Sequence, residues 1–309
     1  MLKFVNISEF HKSVFQNEVI KYLNPKPGEN FIDATVDGGG HTAAILEKIM
    51  PRGKVLGIEI DRELYTYLAA EIKNQKSKIK NNVILVNDSF INLKEIINEN
   101  NFGPVAGILF DLGFSSWHLE SSGRGFSFRK NEPLKMNYES RIMNQGLTAE
   151  MIVNQWSENE LKKIFQEYGE ERFAKRITEE IVRFRKNNPI KTTFDLVEII
   201  KKATPYWYQR RRIHPATKVF QALRIAVNDE LGNLKKSLPQ ALEILSAGGR
   251  IAVISFHSLE DRIVKNFFKE EAQKNNLKIL TKKPVSPSLE ELKENPRSRS
   301  AKLRAAIKI

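Results

Sequence analysis

The feature that most constrains the fold is a short apolar run followed at once by glycines. Residues 31–41 read Phe-Ile-Asp-Ala-Thr-Val-Asp-Gly-Gly-Gly-His, and a helical spacing of apolar residues begins at Thr42. This order predicts a strand, a tight loop and a helix. Glycines lack Cβ atoms and so let a ligand approach the backbone, while the free N–H groups of a helix start favour anionic or electron-rich partners. The stretch therefore predicts a nucleotide-binding loop.

The loop alone does not decide between two cofactors. Residues 38–43 satisfy the dinucleotide spacing, and Glu59 lies near the position expected for an acid that binds a ribose. Two acids beside the glycines, Asp33 and Asp37, favour S-adenosylmethionine, because they would repel a pyrophosphate. Asp33 is also placed to meet the ammonium group of that cofactor.

Composition limits the classes of protein to which the chain can belong. A chain of 309 residues with 41% hydrophobic content can bury a sizeable core, in one large domain or two of ordinary size. It has no cysteine, and its five histidines lack metal-ligand spacing, so we expect no disulfide and no metal site. We find no apolar run long enough to span a bilayer and no signal-peptide pattern, so we expect a cytoplasmic protein without membrane contact. The net charge of +13 implies an acidic partner, such as RNA, DNA or an anionic membrane.

Alternating strand and helix signals predict an α/β fold with a doubly wound, mostly parallel sheet. A lead-in helix precedes the first strand and begins near His11. Glu59 falls where the second strand ends and can accept both ribose hydroxyls of an adenosine. Phe90 follows the third strand and is placed to stack on adenine, and Asp61 is expected to cap a helix. Strands after the first are predicted at residues 54–60, 83–86, 106–110 and 250–255.

More than a hundred residues separate the fourth and fifth predicted strands, too many for a simple crossover. An inserted helical domain at 121–214 explains them, with the chain returning through a helix at 216–231. Ser157 and Thr192 begin capping-box patterns inside this insert. Residues 1–120 and 215–309 then form the cofactor-binding domain.

Three segments combine features that favour nucleic-acid binding. Residues 123–130 and 206–212 interleave aromatic and basic side chains, and residues 295–304 carry several arginines. Aromatic faces stack on unpaired bases at about 1–3 kcal/mol each, while arginines bind phosphates. These segments predict a surface for single-stranded nucleic acid.

The segment Asp111-Leu-Gly-Phe114 ends the fourth strand and has the form of loops that methylate exocyclic amines. A nucleobase amine is a poor nucleophile because its lone pair is delocalised into the ring. A carboxylate and backbone carbonyls can accept its N–H bonds, and an aromatic ring can stack on the base. We therefore predict that Asp111 and Phe114 are catalytic, with most of the rate gained by positioning.

Seven motifs in this order resemble those of the bacterial ribosomal RNA small subunit methyltransferase H family, also called MraW. The resemblance covers nearly the whole chain. The motifs are His11-Lys-Ser-Val14, Asp37-Gly-Gly-Gly-His41, Asp111-Leu-Gly-Phe-Ser-Ser116, Arg124-Gly-Phe-Ser-Phe128, residues 213–230, Ser255-Phe-His-Ser-Leu-Glu-Asp261 and residues 295–302.

The resemblance implies a Rossmann-like class I methyltransferase with an inserted helical substrate-recognition domain. It implies S-adenosylmethionine as cofactor, N4 of a cytidine in the decoding (P-site) region of 16S ribosomal RNA as acceptor, and the small ribosomal subunit as partner. His41 is a possible general base, and either a monomer or a homodimer fits the sequence. Matching motif positions place cofactor contacts at Gly39, Gly40, His41, Glu59, Phe90, Asp111 and His118.

Two other classes of function use part of the same sequence. A dinucleotide-dependent oxidoreductase would use the glycine loop and Glu59, but it leaves the Asp111 loop and the aromatic and basic segments unexplained. A non-catalytic RNA-binding assembly factor explains those segments and leaves the predicted cofactor cleft without a purpose.

Overall fold

The protein, described by a computed structural model, forms two compact units. The described residues are 13–74, 78–138 and 146–309. One unit contains the chain up to Ser115 and again from Leu231 to Ile309, and the other is Ser116–Glu230. The second unit includes the predicted insert, 121–214, together with residues 116–120 and 215–230. Among the helices in the described ranges, none is both long enough and apolar enough to cross a membrane.

A seven-stranded sheet forms the centre of the first unit in the described part of the chain. Its spatial order is β3-β2-β1-β4-β5-β7-β6; β1 to β5 pair in parallel, and β7 runs antiparallel to both neighbours. The predicted α/β class with a doubly wound, mostly parallel sheet is therefore confirmed. The strands are β1 (Asn30–Asp33), β2 (Val55–Ile58), β3 (Val83–Val86), β4 (Val105–Asp111), β5 (Leu245–Ser255), β6 (Leu277–Ile279) and β7 (Lys302–Lys308).

The central strands are apolar throughout because both faces of the sheet are covered. Phe31 of β1 and Val55 of β2 belong to one buried cluster, whereas the next residues, Ile32 and Leu56, belong to another. Successive side chains of a strand point to opposite faces, so an unbroken apolar run serves two cores at once. This arrangement fixes the strands firmly and leaves their carboxyl ends to carry polar groups.

The helices were predicted in part. The lead-in helix occupies Gln16–Leu23, and His11 and Lys12 lie outside the described residues. Helices α5 to α11 belong to the second unit. In chain order the helices are α1 (Gln16–Leu23), α2 (Gly40–Ile49), α3 (Arg62–Asn74), α4 (Leu93–Glu99), α5 (Ser116–Glu120), α6 (Ala149–Gln155), α7 (Glu158–Glu167), α8 (Ala174–Arg185), α9 (Thr193–Ala203), α10 (Tyr206–Gln209), α11 (Thr217–Asn228), α12 (Glu230–Ile244), α13 (Ser258–Gln273) and α14 (Leu289–Glu294), with short 3-10 helices at Lys78–Asn81, Phe90–Asn92 and Pro296–Ser300.

Capping boxes begin two helices of the second unit, as the sequence predicts. The Ser157 N–H donates to Oε2 of Glu160 at 2.8 Å, and the Glu160 N–H returns to the Ser157 hydroxyl at 3.3 Å. The same exchange joins Thr192 and Asp195 at 2.9 and 3.3 Å. Each box satisfies two backbone donors that the helix start leaves free.

The C-terminal basic segment differs from its prediction because part of it is β7. Arg304 is only 8% exposed. Its Nε donates to Oδ1 of Asp261 at 2.6 Å, and its Nη2 donates to Oδ2 at 3.2 Å. Burial opposes ionisation of Asp261, but Arg304 outweighs it and lowers the pKa of that carboxyl. Arg304 is therefore a structural residue; Arg297 and Arg299 are exposed, and their phosphate contact stays a prediction.

Candidate active site

Three carboxylates lie where neighbouring strands of the first unit end. Asp33 and Asp111 are the last residues of β1 and β4, and Glu59 directly follows β2. Their exposed fractions are 0%, 4% and 3%. The strand order reverses between β1 and β4, the place where open α/β sheets form a ligand crevice. Buried carboxylates are costly unless they are paired, so the partners of each one indicate what it does.

The glycine loop adopts a conformation that needs small residues. Asp37 and Gly39 have φ angles of 47° and 74°, in the left-handed region, and Gly39 is the N-cap of α2. A Cβ atom on Gly40 would lie 2.1 Å from Oγ of Ser13. The side-chain amide of Gln16 also donates to the Gly40 carbonyl at 3.1 Å. The loop backbone is therefore fixed by close packing against the start of the described chain.

Glu59 fixes the shape of this loop. Its Oε2 accepts the N–H of Asp37 at 3.0 Å, and its Oε1 accepts the N–H of Asp61 at 2.9 Å. Burial raises the pKa of Glu59 to about 8, an effect that these two N–H donors reduce and the Asp61 charge reinforces. Each carboxylate oxygen has a second lone pair, so ribose hydroxyls still find acceptors. The predicted ribose contact stays a prediction, and the structure adds the positioning of Asp37.

Asp33 has a structural role in addition to the contact with an ammonium group, which stays a prediction. It is wholly buried; its Oδ2 accepts the Thr42 hydroxyl at 2.7 Å, and its Oδ1 accepts the N–H of Thr35 at 3.3 Å. Burial raises the pKa of Asp33 to about 6, although the neighbouring His41 and the bond from Thr42 offset part of the rise. Asp33 joins the loop after β1 to the first turn of α2.

His41 and Asp111 form a buried pair. Their closest atoms, Nε2 and Oδ2, are 3.4 Å apart, and the two side chains are 4% and 6% exposed. Burial opposes charging of the imidazole, but contact with Asp111 outweighs it and raises the pKa of His41. Within the described residues, both ring nitrogens of His41 and Oδ1 of Asp111 lack hydrogen-bond partners. Because Nε2 faces Asp111, the atoms left to bind a ligand are Nδ1 of His41 and Oδ1 of Asp111. Buried polar atoms are nearly always satisfied, so these two atoms suit a polar ligand.

Two threonines that the sequence analysis missed hold this arrangement in place. The hydroxyl of Thr35 accepts the N–H of Asp111 at 2.7 Å, which ties the loop after β1 to the end of β4. Thr42 bonds Asp33, as described above. Both lie at the strand-to-helix junction, where short hydroxyl side chains commonly satisfy backbone and carboxylate groups. Their position at this junction could have identified them from the sequence.

Two aromatic residues of the prediction lie near the same edge of the sheet. Phe90 starts the 3-10 helix after β3, is half-buried, and packs edge-on against Phe110 with ring centroids 5.6 Å apart. Phe114 follows β4 by three residues and is also half-buried. Each ring keeps some exposed surface, as the predicted stacking on adenine or on a target base requires.

His118 lies in the second unit, unlike the other predicted site residues. It is 2% exposed, and three aromatic rings surround it at centroid distances of 5.1 to 5.3 Å. The rings belong to Trp117, Phe126 and Tyr138. This packing gives His118 a structural role, and its cofactor contact stays a prediction.

The first aromatic and basic segment, residues 123–130, is largely part of the core of the second unit. Arg124 is 3% exposed, and its guanidinium lies 5.1 Å from the ring centroid of Trp117. Phe126 is 6% exposed, and Phe128 packs against the core. The expectation that these side chains bind nucleic acid is therefore wrong, because their rings are already packed; Arg129 and Lys130 remain exposed.

The second segment, residues 206–212, presents most of its side chains to solvent. Tyr206 and Trp207 of α10 are 66% and 53% exposed. Tyr208 is 5% exposed, and its hydroxyl donates to Oε2 of Glu171 at 2.7 Å. The three arginines that follow are exposed. This segment remains available to bind a partner.

Comparison with known proteins identifies the family of the chain. The MraW methylase family matches residues 8–309. A ribosomal RNA small subunit methyltransferase H from Dictyoglomus thermophilum is 50% identical over 299 residues, which cover 96% of this chain and 96% of the relative. Its namesake from Halothermothrix orenii is 46% identical over 314 residues, 97% of this chain and 98% of the relative. The chain belongs to the MraW methylase family.

Proposed function

We propose that this protein transfers a methyl group from S-adenosylmethionine to N4 of a cytidine in the decoding region of 16S ribosomal RNA. Family membership makes it a methyltransferase with S-adenosylmethionine as donor, and the relatives named for small-subunit RNA support that substrate. The chemistry of the site supports an exocyclic amine as acceptor, and the resemblance of the motifs supports N4 of a cytidine in particular. The oxidoreductase alternative has no support from the family, and a purely RNA-binding role leaves the buried pair of His41 and Asp111 unexplained.

The observation that supports an exocyclic amine as acceptor is Oδ1 of Asp111, which has no hydrogen-bond partner at the end of β4. The Asp111 backbone is held by Thr35, and its other carboxylate oxygen faces His41. A fixed carboxylate oxygen without a donor is suited to accept an N–H bond from an exocyclic amine. A ring-carbon acceptor offers no such N–H group.

The residues of the first unit fit the cofactor. Nδ1 of His41, the loop of Gly39 and Gly40, and Glu59 would hold it, and Phe90 would pack on its adenine. When bound, S-adenosylmethionine supplies an electrophilic methyl group on a positively charged sulfur.

Asp111 and His41 can then manage the proton of the acceptor. Oδ1 of Asp111 accepts one N–H of the cytosine amine, which directs the nitrogen lone pair away from that bond. When the new N–C bond forms, N4 carries one proton too many, and Asp111 is placed to accept it. His41 lies 3.4 Å away, and in its protonated form it stabilises the Asp111 carboxylate that first accepts the amine N–H. Phe114 stacks on the base, which must leave its helix at a cost of a few kcal/mol.

Nucleoside mass spectrometry of treated small subunits tests the proposal. Unmethylated subunits incubated with the protein and S-adenosylmethionine should yield N4-methylated cytidine. Asp111→Asn keeps the shape of the side chain but offers a weaker, neutral acceptor, so we expect kcat to fall about 10²-fold or more. Cofactor affinity, measured by calorimetry, should fall much less. A methyl group on ring carbon 5, or full activity of Asp111→Asn, would overturn the amine mechanism.

The second unit is proposed to recognise the RNA. Its exposed arginines and aromatic rings support this assignment, since the residues that bind the cofactor are proposed in the first unit. Neutralising Arg210, Arg211 and Arg212 together should reduce the salt dependence of RNA binding by about two to three units of slope. An unchanged slope with lower affinity would mean that these arginines are structural.

A further inference from the structure

Two separate stretches of the second unit meet at α10. Phe173 lies at the N-cap of α8, and its ring centroid is 4.8 Å from that of Tyr208 and 5.9 Å from that of Trp207. Glu171, two residues earlier, accepts the Tyr208 hydroxyl at 2.7 Å and the Phe173 N–H at 2.8 Å. The buried Tyr208 therefore locks α10 against the chain that enters α8. Trp207, held at its edge by Phe173, keeps half of its surface exposed.

Arginines from both stretches surround these rings. The guanidinium carbon of Arg172 is 5.7 Å from the Trp207 centroid, and that of Arg210 is 4.5 Å from the Tyr206 centroid. Arg176 approaches Phe173 at 5.9 Å. All three side chains are exposed, and none forms an ion pair with a carboxylate in the part of the chain that the structure describes. We call this surface, formed by Arg172, Arg176, Tyr206, Trp207, Arg210 and Arg211, the α8–α10 platform.

The glutamate beside the platform offsets only one of its four arginine charges. Glu171 is 4% exposed and its oxygens are occupied by Tyr208 and Phe173. The pKa of Tyr208 is raised by burial and by Glu171, while Arg211 and Arg172 oppose that rise, so both guanidinium groups act on the same hydroxyl from opposite stretches of sequence. The platform thus combines a net positive charge with exposed aromatic faces.

This combination fits one kind of partner. Arginine stacked on a ring keeps its N–H edges free for phosphate oxygens, and the exposed face of an aromatic ring accepts an unpaired base. A paired helix would hide its bases and use only the charges, and an acidic protein would gain little from half-exposed rings. The occupant that uses both features is a single-stranded segment of RNA.

We propose that the α8–α10 platform binds an unpaired stretch of RNA, with a base stacked on Trp207 and the backbone phosphates held by Arg172, Arg176 and Arg210. The proposal rests on the proposed function for its RNA partner, but it adds a base stacked on Trp207 and the participation of Arg172 and Arg176. In the sequence these two arginines lie thirty or more residues from Tyr206, and no motif joins them.

Fluorescence of the full-length protein provides the first test. An unpaired oligouridine of about a dozen nucleotides, added without cofactor, should quench the emission of Trp207, because a base stacks on its ring. The quench should be absent from Trp207→Phe, which leaves Trp117 and Trp156 as background. Trp207→Ala should weaken binding about 5- to 150-fold. Phe194→Ala, which removes another half-exposed ring of this unit, is the matched control and should bind normally.

Salt dependence provides the second test. Arg172→Gln with Arg176→Gln should lower the slope of log affinity against log salt by about 1.4, since each phosphate contact to a single strand contributes about 0.7. Lys265→Gln with Lys269→Gln removes the same charge from exposed positions of α13 and should leave the slope for this short probe unchanged.

The outcomes separate this proposal from the proposed function. Equal binding of Trp207→Ala and wild type, or tighter binding of a blunt RNA duplex than of the single strand, would overturn the platform, whether or not the protein methylates small subunits. Quenching and salt effects as expected, from a protein that methylates no cytidine, would support the platform and overturn the proposed function. A protein that binds no RNA but is quenched by an acidic polypeptide would refute the platform as stated.

Discussion

Glu59 should release a proton when the cofactor binds. Its pKa in the free protein is raised to about 8, so at pH 7 about nine-tenths of the molecules hold a proton on this carboxyl. Two ribose hydroxyls bind a charged carboxylate better than a neutral one, because charge-assisted hydrogen bonds are about twice as strong. Binding should therefore expel about 0.9 proton at pH 7 and about half a proton at pH 8. By linkage, affinity should rise nearly tenfold per pH unit below about pH 7.

Calorimetry in two buffers of different ionisation enthalpy measures this number directly. Glu59→Gln keeps the shape of the side chain and cannot titrate, so its proton release at pH 7 should be lower by about 0.9. Glu99→Gln, an exposed glutamate of α4, is the control and should behave as wild type. Equal proton release by Glu59→Gln and wild type would refute the assignment of this proton to Glu59.

A comparison with S-adenosylhomocysteine tests whether the released proton comes from Glu59. This ligand keeps both ribose hydroxyls but lacks the positive charge on sulfur. If Glu59 is the source, the two ligands should release the same number of protons. A smaller number with S-adenosylhomocysteine would indicate that Asp37 or His41, whose pKa values are also raised, responds to the charge on sulfur instead.

Three further substitutions test the contacts that build the two units. Tyr208→Phe removes the hydroxyl that satisfies the buried Glu171, so the free energy of unfolding should fall by about 1–3 kcal/mol in urea titrations, while Tyr206→Phe at an exposed position should change it by less than about 0.5. Asp261→Ala leaves the buried Arg304 without its carboxylate and should lower the free energy of unfolding by about 3–5 kcal/mol, most of which the double change Asp261→Ala with Arg304→Met should restore. Because the pKa of Asp261 is lowered, the stability that the wild-type pair contributes is also lost as the pH falls below the unfolded value of 3.8. Gly40→Ala places a methyl group against Ser13 and should destabilise the first unit by about 1–3 kcal/mol in thermal unfolding. An added Ser13→Gly change should remove this loss, and an equal loss with and without it would mean that the methyl group does not clash with Ser13.

The parallel part of the fold could be predicted because its strands are apolar on both faces and end on acids. Phe31 and Ile32, or Val55 and Leu56, form continuous runs that only a covered, buried sheet accommodates. The last two strands could not be identified in this way. β6 has only three residues, and β7 carries Lys302 and Arg304, which made it look like a basic tail. The compensating acid, Asp261, lies about forty residues upstream, so the pairing that buries Arg304 depends on tertiary structure.

The predicted acids of the site were placed correctly at strand ends, but their roles depended on neighbours that sequence spacing does not reveal. Asp33 and Glu59 both follow apolar runs and each accepts two donors, but one donor to Asp33 is the Thr42 hydroxyl of α2, whereas both donors to Glu59 are backbone N–H groups. One hydroxyl group in the adjoining helix therefore decides that Asp33 joins a strand to a helix, while Glu59 shapes the glycine loop. Sequence spacing predicts the position of a side chain along the backbone. The residues around it in the fold decide which ligands it can still bind.

The two segments that interleave aromatic and basic residues, 123–130 and 206–212, also depend on their surroundings in the fold. Residues 123–130 form a loop in which Gly125 has a φ of 75° and a Cβ there would lie 2.4 Å from the Pro133 carbonyl, so the chain folds back on itself and carries Arg124 and Phe126 inward. Residues 206–209 form a single helical turn, and consecutive residues of a helix point about 100° apart. Only one of three neighbouring rings can face the core, and Tyr208 does so. Tyr206 and Trp207 must then face solvent. Residues 206–212 therefore contribute to the exposed platform, although their composition is similar to that of residues 123–130.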